Sequence, residues 1–322
     1  MVKARLSRIA DRARVLAGGR PHPLTKRLVV KGMAGLGNRL WYLLTAKAFA
    51  DRWGLQLCPD WREGWYGPVG ENAFFDLFEL DGAGEPPADF GPVYPSFWEG
   101  RTDRTIYECI AAVQQDRGAP VSPDDMMWPL YRVLLERPAA ESLFNVGWGE
   151  LPDDMRVARV PYDRRAVGAA LRPSARCRRV IADELPPLAD CTGVHVRRTD
   201  APGQLPLENY FRHVGEDDRP IFVCTDDHEV EAAFRERYGA RVHDVPRYYH
   251  EDGAALHYGA LIREEPDGAA PPPDRGRLAA EAVRDLFGLG GCGRIVHAGN
   301  SSFSRFAVQV IADERTDVRF VT

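Results

Sequence analysis

The sequence predicts an α/β protein built from two domains with a cleft between them. Three observations carry that expectation. Strand-like runs alternate with helix-patterned runs through the second half, a strand–glycine loop–helix unit opens the first half, and 322 residues suffice for two cores at roughly 150 residues per domain. Strands that alternate with helices are parallel and joined by right-handed crossovers. With 44 % apolar and 28 % charged residues the chain is globular in composition. A net charge of −5 excludes a general nucleic-acid binder, and no uncharged apolar run reaches the roughly 18 residues needed to span a bilayer.

The elements follow in order. Val2, Leu6, Ile9, Ala13 and Leu16 fall near one helical face with Arg5, Arg8 and Arg12 among the polar positions. This reads as a basic amphipathic helix that packs on its own protein or touches an anionic membrane surface. Leu28–Gly32 is a short β-branched strand, followed by a glycine-rich turn and a helical pattern over Arg39–Trp53 with Leu40, Leu43, Leu44 and Ala48 in phase. Leu55–Cys58 is the next strand. Residues 60–105 are rich in Gly, Pro and aromatics and read as a long irregular connection, either carrying binding loops with Trp and Tyr faces or filling a small core. Helical patterns return at Ile106–Val113 and Asp125–Glu136, and Leu143–Val146 is a strand.

Beyond Pro161 the alternation becomes regular. Strands are expected at Gly193–Arg198, Pro220–Thr225, Arg241–Val245, Arg294–Ala298 and Val318–Val321, with helices at Leu207–Val214, Glu229–Tyr238, Arg277–Leu286 and Ser302–Asp313. Glu264–Arg275, with Pro271–Pro273, is an exposed loop, and His257 precedes it. The boundary falls near 150–165, giving domains over 1–160 and 161–322. Lysine occurs only at positions 3, 26, 31 and 47 against an abundance of Arg, as in a GC-rich bacterial coding sequence. The six cysteines are scattered with no C-x-x-C, which implies neither a disulfide framework nor a zinc knuckle and fits a reducing cytoplasm.

Three segments carry chemistry. Gly32-x-x-x-x-Gly37 is followed by Asn38 rather than Lys, so a P-loop fails. Gly35-Leu-Gly37 meets only part of a dinucleotide fingerprint, with Asp60 as the following acidic residue, and leaves an NAD(P)-dependent oxidoreductase as an alternative. The same loop serves equally as a tight turn of positive φ or as a place where a ligand nears the backbone, with Asn38 and Arg39 at a helix start. The strand Gly193-Val-His-Val-Arg-Arg-Thr-Asp200 puts His195 and Arg197 on one face and delivers Arg197 and Arg198 to its C-terminal end, where open α/β sheets bind ligands. Either a diphosphate neutralises that pair, or Asp200 takes one guanidinium and solvent the other. Ile295–Arg305 brings Gly299, Asn300, Ser301 and Ser302 to the start of a helix, where free N–H groups, hydroxyls and the helix dipole favour an anion, or where a plain N-cap sits. Asp226, with Glu229 three residues on, has helix-cap spacing, and Asp227 is left to face the cleft. No Asp-x-Asp and no His/Cys cluster occurs, so no metal is expected.

His195-Val-Arg-Arg-Thr-Asp200 resembles the His-x-Arg-Arg-x-Asp motif of the bacterial nodulation fucosyltransferases and the α1,6- and α1,2-fucosyltransferases, with protein O-fucosyltransferases more distant. Asn300-Ser-Ser-Phe-Ser-Arg305 is similar to their Ser-rich motif, and Gly35–Arg39 to their N-terminal glycine loop. The resemblance implies a GT-B fold of two Rossmann-like domains facing each other across a cleft, an acceptor-side domain over 1–160 and a nucleotide-sugar domain over 161–322. It further implies GDP-fucose as co-substrate and metal-independent inverting transfer to a hydroxyl acceptor. Arg197 would hold the β-phosphate, Arg198 would support it or the sugar, His195 would contact nucleotide or donor, and Asn300, Ser301, Ser302, Ser304 and Arg305 would bind the donor. Asp285 would read guanine, and Gly35, Gly37, Asn38 and Arg39 would approach the donor from the other domain. The chain departs from the α1,6 enzymes at Ala201, where they carry Lys, and Pro202–Leu205 lacks their nearby Glu. That argues against a core α1,6 N-glycan acceptor and leaves Asp200 and Asp227 as carboxylates for the acceptor hydroxyl. The same departures motivate the other alternative, a phosphosugar-binding protein without catalysis.

Overall fold

A computed structural model describes residues 21–118, 137, 139–146, 162–198, 204–249 and 274–322. The amphipathic segment 2–16, the helical pattern over 125–136, Asp200, His257 and most of the Pro-rich loop lie outside them. The chain divides into two units. Among the described residues, those up to 34, 38–63 and from 80 to 167 form one, and 35–37, 64–79 and from 168 onward form the other. The second unit thus takes two pieces, 35–37 and 64–79, from the half that the expected boundary at 160 assigned to the N-terminal domain.

The first unit is built on β1 (Arg27–Lys31), β2 (Gln56–Asp60), β4 (Val93–Tyr94) and β5 (Ser142–Val146), in the order β2-β1-β5-β4 with every pair parallel. Leu28, Val29 and Val30 are buried, as an apolar run must be when both faces of a parallel sheet are covered. Helix α1 (Leu36–Trp53) is buried nearly all round; the chain also forms helices α3 (Ile106–Arg117) and α4 (Arg164–Gly168) and a two-stranded sheet of β3 (Phe78–Leu80) and β6 (Leu171–Pro173). The aromatic stretch fills cores rather than presenting stacking faces. Trp61, Phe74, Phe78 and Trp98 are buried, and Trp98 stacks on Phe144 of β5 with ring centroids 5.5 Å apart. Of the two roles open to these aromatics, core filling is the observed one.

The second unit carries β7 (Thr192–Val196), β8 (Ile221–Thr225), β9 (Arg294–Ala298) and β10 (Asp317–Val321) in the order β10-β9-β7-β8, again all parallel. Helix α2 (Ala73–Leu77) packs on α5 (Ala175–Glu184) and α8 (Arg275–Gly291), with the Ser174 hydroxyl donating to the Asp76 carbonyl at 2.6 Å. Between β7 and β8 lies α6 (Leu207–Val214), and α7 (His228–Tyr238) follows β8. The strand expected at Arg241–Val245 is instead a 3-10 turn over Gly239–Arg241 and a single bridge from Val242 to Ile221. Val242 and Val245 are both buried, a spacing of three that strand alternation does not allow. Helix α8 runs five residues past its expected end. Gly288 and Gly290 continue it because a Cβ there would stand 2.8 Å from Leu185 and Phe222 and 2.4 Å from Ile311. After β9 comes α9 (Ser302–Phe306), which runs on as a π-turn through Ala307–Ile311.

Candidate functional site

The parallel register of the second sheet sets four side chains in a row on one face: Phe320, His297, His195 and Cys224. The His195 ring stacks on Phe303 of α9, centroids 5.3 Å apart and planes 21° from parallel. The motif strand and the Ser-rich helix start therefore meet directly. Burial, then the neighbouring Arg197 charge, pushes the imidazole down to about 3, so it is neutral at physiological pH and offers one donor and one acceptor. Neither ring nitrogen hydrogen-bonds within the described residues.

Just past the end of β7, the Arg197 Nε lies 3.7 Å from the Asp226 carboxylate and its side chain stays partly exposed. The Arg198 N–H donates to Asp226 Oδ1 at 2.9 Å, and its guanidinium reaches Gln204 Oε1 at 3.3 Å. The two aspartates after β8 thus exchange their expected parts. Asp227 is the N-cap of α7, its Oδ1 accepting from the Glu229 N–H at 2.8 Å, whereas Asp226 holds the arginine pair. Only the residue immediately before the first helical position has the extended backbone a cap needs, and that residue is Asp227.

Beyond β9, Gly299 and Asn300 are exposed, and Ser301 occupies the N-cap of α9 without a side-chain cap bond. Ser301 and Ser302 immediately precede Phe303, whose ring forms the stack with His195. Ser304 turns the other way. It is fully buried, 3.0 Å from His297 Nδ1, and donates to the Ser301 carbonyl. Expected as a donor-binding residue, Ser304 instead pins the helix start to the sheet, because three positions past the cap the helix points its side chain inward. Arg305 is half-buried and close enough to depress the His297 imidazole after burial has done so.

The glycine loop meets this helix start too. A Cβ on Gly37 would lie 2.5 Å from the Phe303 nitrogen and 2.7 Å from its Cα. Gly37 is therefore glycine for the close approach of another backbone, while the turn's positive φ falls on Ala34, at 62°. Asn38 is half-buried. Arg39 does not face outward as expected. Its side chain is almost fully buried, Nη1 pairing with Glu63 at 2.5 Å, Nε donating to the Ala34 carbonyl at 2.6 Å and the guanidinium lying over Trp61. A desolvated guanidinium needs a carboxylate, and Gly32 leaves the room for it: a Cβ there would stand 2.2 Å from Nη1. Asp60, which a dinucleotide site would turn toward a ribose, is buried between Lys31 at 2.7 Å and Arg62 at 2.7 Å.

Asp285 is likewise engaged. One carboxylate oxygen takes Arg247 Nε at 2.9 Å and the other takes Arg284 Nε at 2.9 Å. Sequence reasoning passed over Arg247, Arg284, Phe303 and His297. Phe303 and His297 read as core positions of a helix and a strand, and nothing local to Arg247 distinguishes it in so arginine-rich a chain. Among the described residues no group of three or more His, Cys, Asp or Glu is placed to hold a metal, and no helix is long and apolar enough to cross a membrane.

No family model matches the chain, and no curated protein matches it. Solved structures do. NodZ α1,6-fucosyltransferase co-crystallised with GDP is 20 % identical, with a TM-score of 0.55 over 89 % of this chain and 93 % of that one; NodZ from Bradyrhizobium gives 0.52. A variant of Arabidopsis thaliana FUT1 in complex with GDP is 14 % identical with a TM-score of 0.53, covering 92 % of this chain and 70 % of that one. POFUT1 in complex with GDP is 14 % identical with a TM-score of 0.51, covering 94 % and 99 %. The chain shares the fold of these fucosyltransferases, and the α/β, GT-B-like class expected from the sequence is the one observed.

Proposed function

We propose that the chain is a glycosyltransferase that moves L-fucose from GDP-fucose to a hydroxyl acceptor, with inversion and without a divalent ion. The observation that supports this reading is the His195–Phe303 stack, which joins the strand preceding Arg197 and Arg198 to the helix that starts at Ser302. The shared fold supports it, since NodZ and POFUT1 structures hold GDP or GDP-fucose. In the transfer the acceptor oxygen bonds to C1 of the sugar as the C1–O bond to the β-phosphate breaks, and that electron pair leaves with GDP. Arg197, supported by Arg198, and the N–H groups and hydroxyls of Ser301 and Ser302 stabilise the charge that builds on the leaving oxygen. Neutral His195 hydrogen-bonds the nucleotide, Asn300 and Arg305 flank the diphosphate, and Gly35, Gly37 and Asn38 contribute backbone and amide contacts. Asp200 takes the acceptor proton.

Calorimetry with GDP and UDP, and GDP release from GDP-fucose in excess chelator, test the reading together. GDP is expected to bind about tenfold or more tightly than UDP. Release is expected to survive the chelator and to fall about 100-fold or more in Arg197→Ala. GDP binding no tighter than UDP would remove the donor assignment, and loss of release in chelator would overturn the metal-independent mechanism.

A further inference from the structure

The connection from β9 to α9 runs through Gly299, Asn300 and Ser301, and it lacks the fastening a helix start usually has: Ser301 occupies the N-cap but makes no side-chain cap bond. A different device holds it. His297, the penultimate residue of β9, is only 1 % exposed, and its Nδ1 stands 3.0 Å from Ser304 Oγ and 3.1 Å from the Ala298 carbonyl. The Ser304 hydroxyl in turn donates at 3.4 Å to the Ser301 carbonyl, which also accepts the Arg305 N–H at 3.1 Å.

A hydroxyl has one proton to give. Spent on the Ser301 carbonyl, it leaves Ser304 Oγ as an acceptor, which assigns the imidazole proton of His297 to Nδ1 and the lone pair to Nε2. Nε2 is buried without a hydrogen-bond partner among the described residues. Burial and the Arg305 charge outweigh the Ala298 carbonyl and hold this ring below its ordinary range, so it is neutral. The peptide that joins Ser301 to Ser302 is planar and trans, and its C=O and N–H point in opposite directions. Fixing the Ser301 carbonyl therefore fixes the direction of the Ser302 N–H, at the first helical position.

We propose that His297 is a positioning residue: acting through Ser304, it sets the peptide plane that presents the Ser302 N–H to the donor's diphosphate, a ligand it is too deeply buried to touch. This rests on the GDP-sugar reading above.

Pyrophosphate calorimetry on the full chain, with chemical denaturation of the same samples, tests this in His297→Leu, His297→Asn, Ser304→Ala and the double variant of His297→Leu with Ser304→Ala. Leu keeps much of the bulk without a donor, whereas the Asn amide places an N–H near the position of Nδ1. Affinity is expected to fall about tenfold in His297→Leu and in Ser304→Ala, and no further in the double variant, because both changes cut one linkage. His297→Asn is expected to stay within about threefold of wild type in affinity even as its stability falls with the smaller side chain. A residue that only filled the core would lower stability in these variants and leave the affinity of the folded protein unchanged. Unchanged affinity in Ser304→Ala, losses that add in the double variant, or His297→Asn as weak as His297→Leu would overturn the proposal while the donor reading stands. Absence of both pyrophosphate and GDP binding in the wild type would remove the donor reading and this proposal with it.

Discussion

Gly37→Ala probes the junction at which the glycine loop meets the helix start. The added Cβ would lie 2.5 Å from the Phe303 nitrogen and 2.7 Å from the carbonyl carbon of Ser302. Ordinary contact begins near 3.4 Å, so the two backbones must part by about 1 Å, and backbone cannot rotate aside as a flexible side chain would. Over-packing of this kind costs about 1–3 kcal/mol. Because the strain falls on the first turn of α9, part of it appears as misplaced N–H donors at Ser301 and Ser302. The expected result in chemical denaturation is an unfolding free energy lowered by that amount, seen as a lower midpoint with an unchanged m-value. Calorimetry with GDP is expected to show affinity reduced about tenfold, one lost charge-assisted contact's worth. Gly37→Ala with unchanged stability and unchanged GDP affinity would refute both the close approach and the place given to this helix start.

Two further outcomes follow from buried groups. The His195 imidazole is depressed to about 3 from an ordinary value near 6.5, first by burial and then by Arg197, so the unfolded chain takes up a proton in that window and the folded chain does not. The stability His195 contributes is full above about pH 6.5 and is lost as pH falls toward 3. His195→Gln is therefore expected to flatten the acid side of the stability curve in that window, and an unchanged slope would contradict the burial argument. Ala34 holds a φ of 62° that glycine adopts freely. Ala34→Gly is expected to raise stability by about 0.5–1 kcal/mol, the strain of about 1–2 kcal/mol less the extra entropy of glycine in the unfolded chain; a lower denaturation midpoint would show that Ala34 is not strained.

Much of the second unit was legible because its strands and helices keep one simple pattern each. Leu207–Val214 and Arg294–Ala298 are the observed elements to the residue. Local pattern fails where the determining contact is distant. Gly288 and Gly290 look like helix ends until Phe222 and Ile311 are seen to occupy the space of their side chains. Arg39 is expected at the site from its place at a helix start and Asp285 from the resemblance, and only the fold supplies the Glu63, Arg247 and Arg284 that engage them. Ser304 is hidden in a serine run whose members differ only by helical phase. The exchange of Asp226 and Asp227 turns on a single residue of helix boundary, the kind of detail that periodicity leaves open. The meeting of the two motifs was expected from their places at strand ends, and the His195–Phe303 contact is its physical form.

The claim underlying the whole account is that one anion is shared by a strand-end guanidinium and a helix start. A double-mutant cycle measures this directly: pyrophosphate affinity by calorimetry for wild type, Arg197→Ala, Ser301→Ala and the double variant. A shared anion predicts a coupling of about 0.5 kcal/mol or more between the two substitutions. Strictly additive losses, or pyrophosphate binding indifferent to either change, would contradict it.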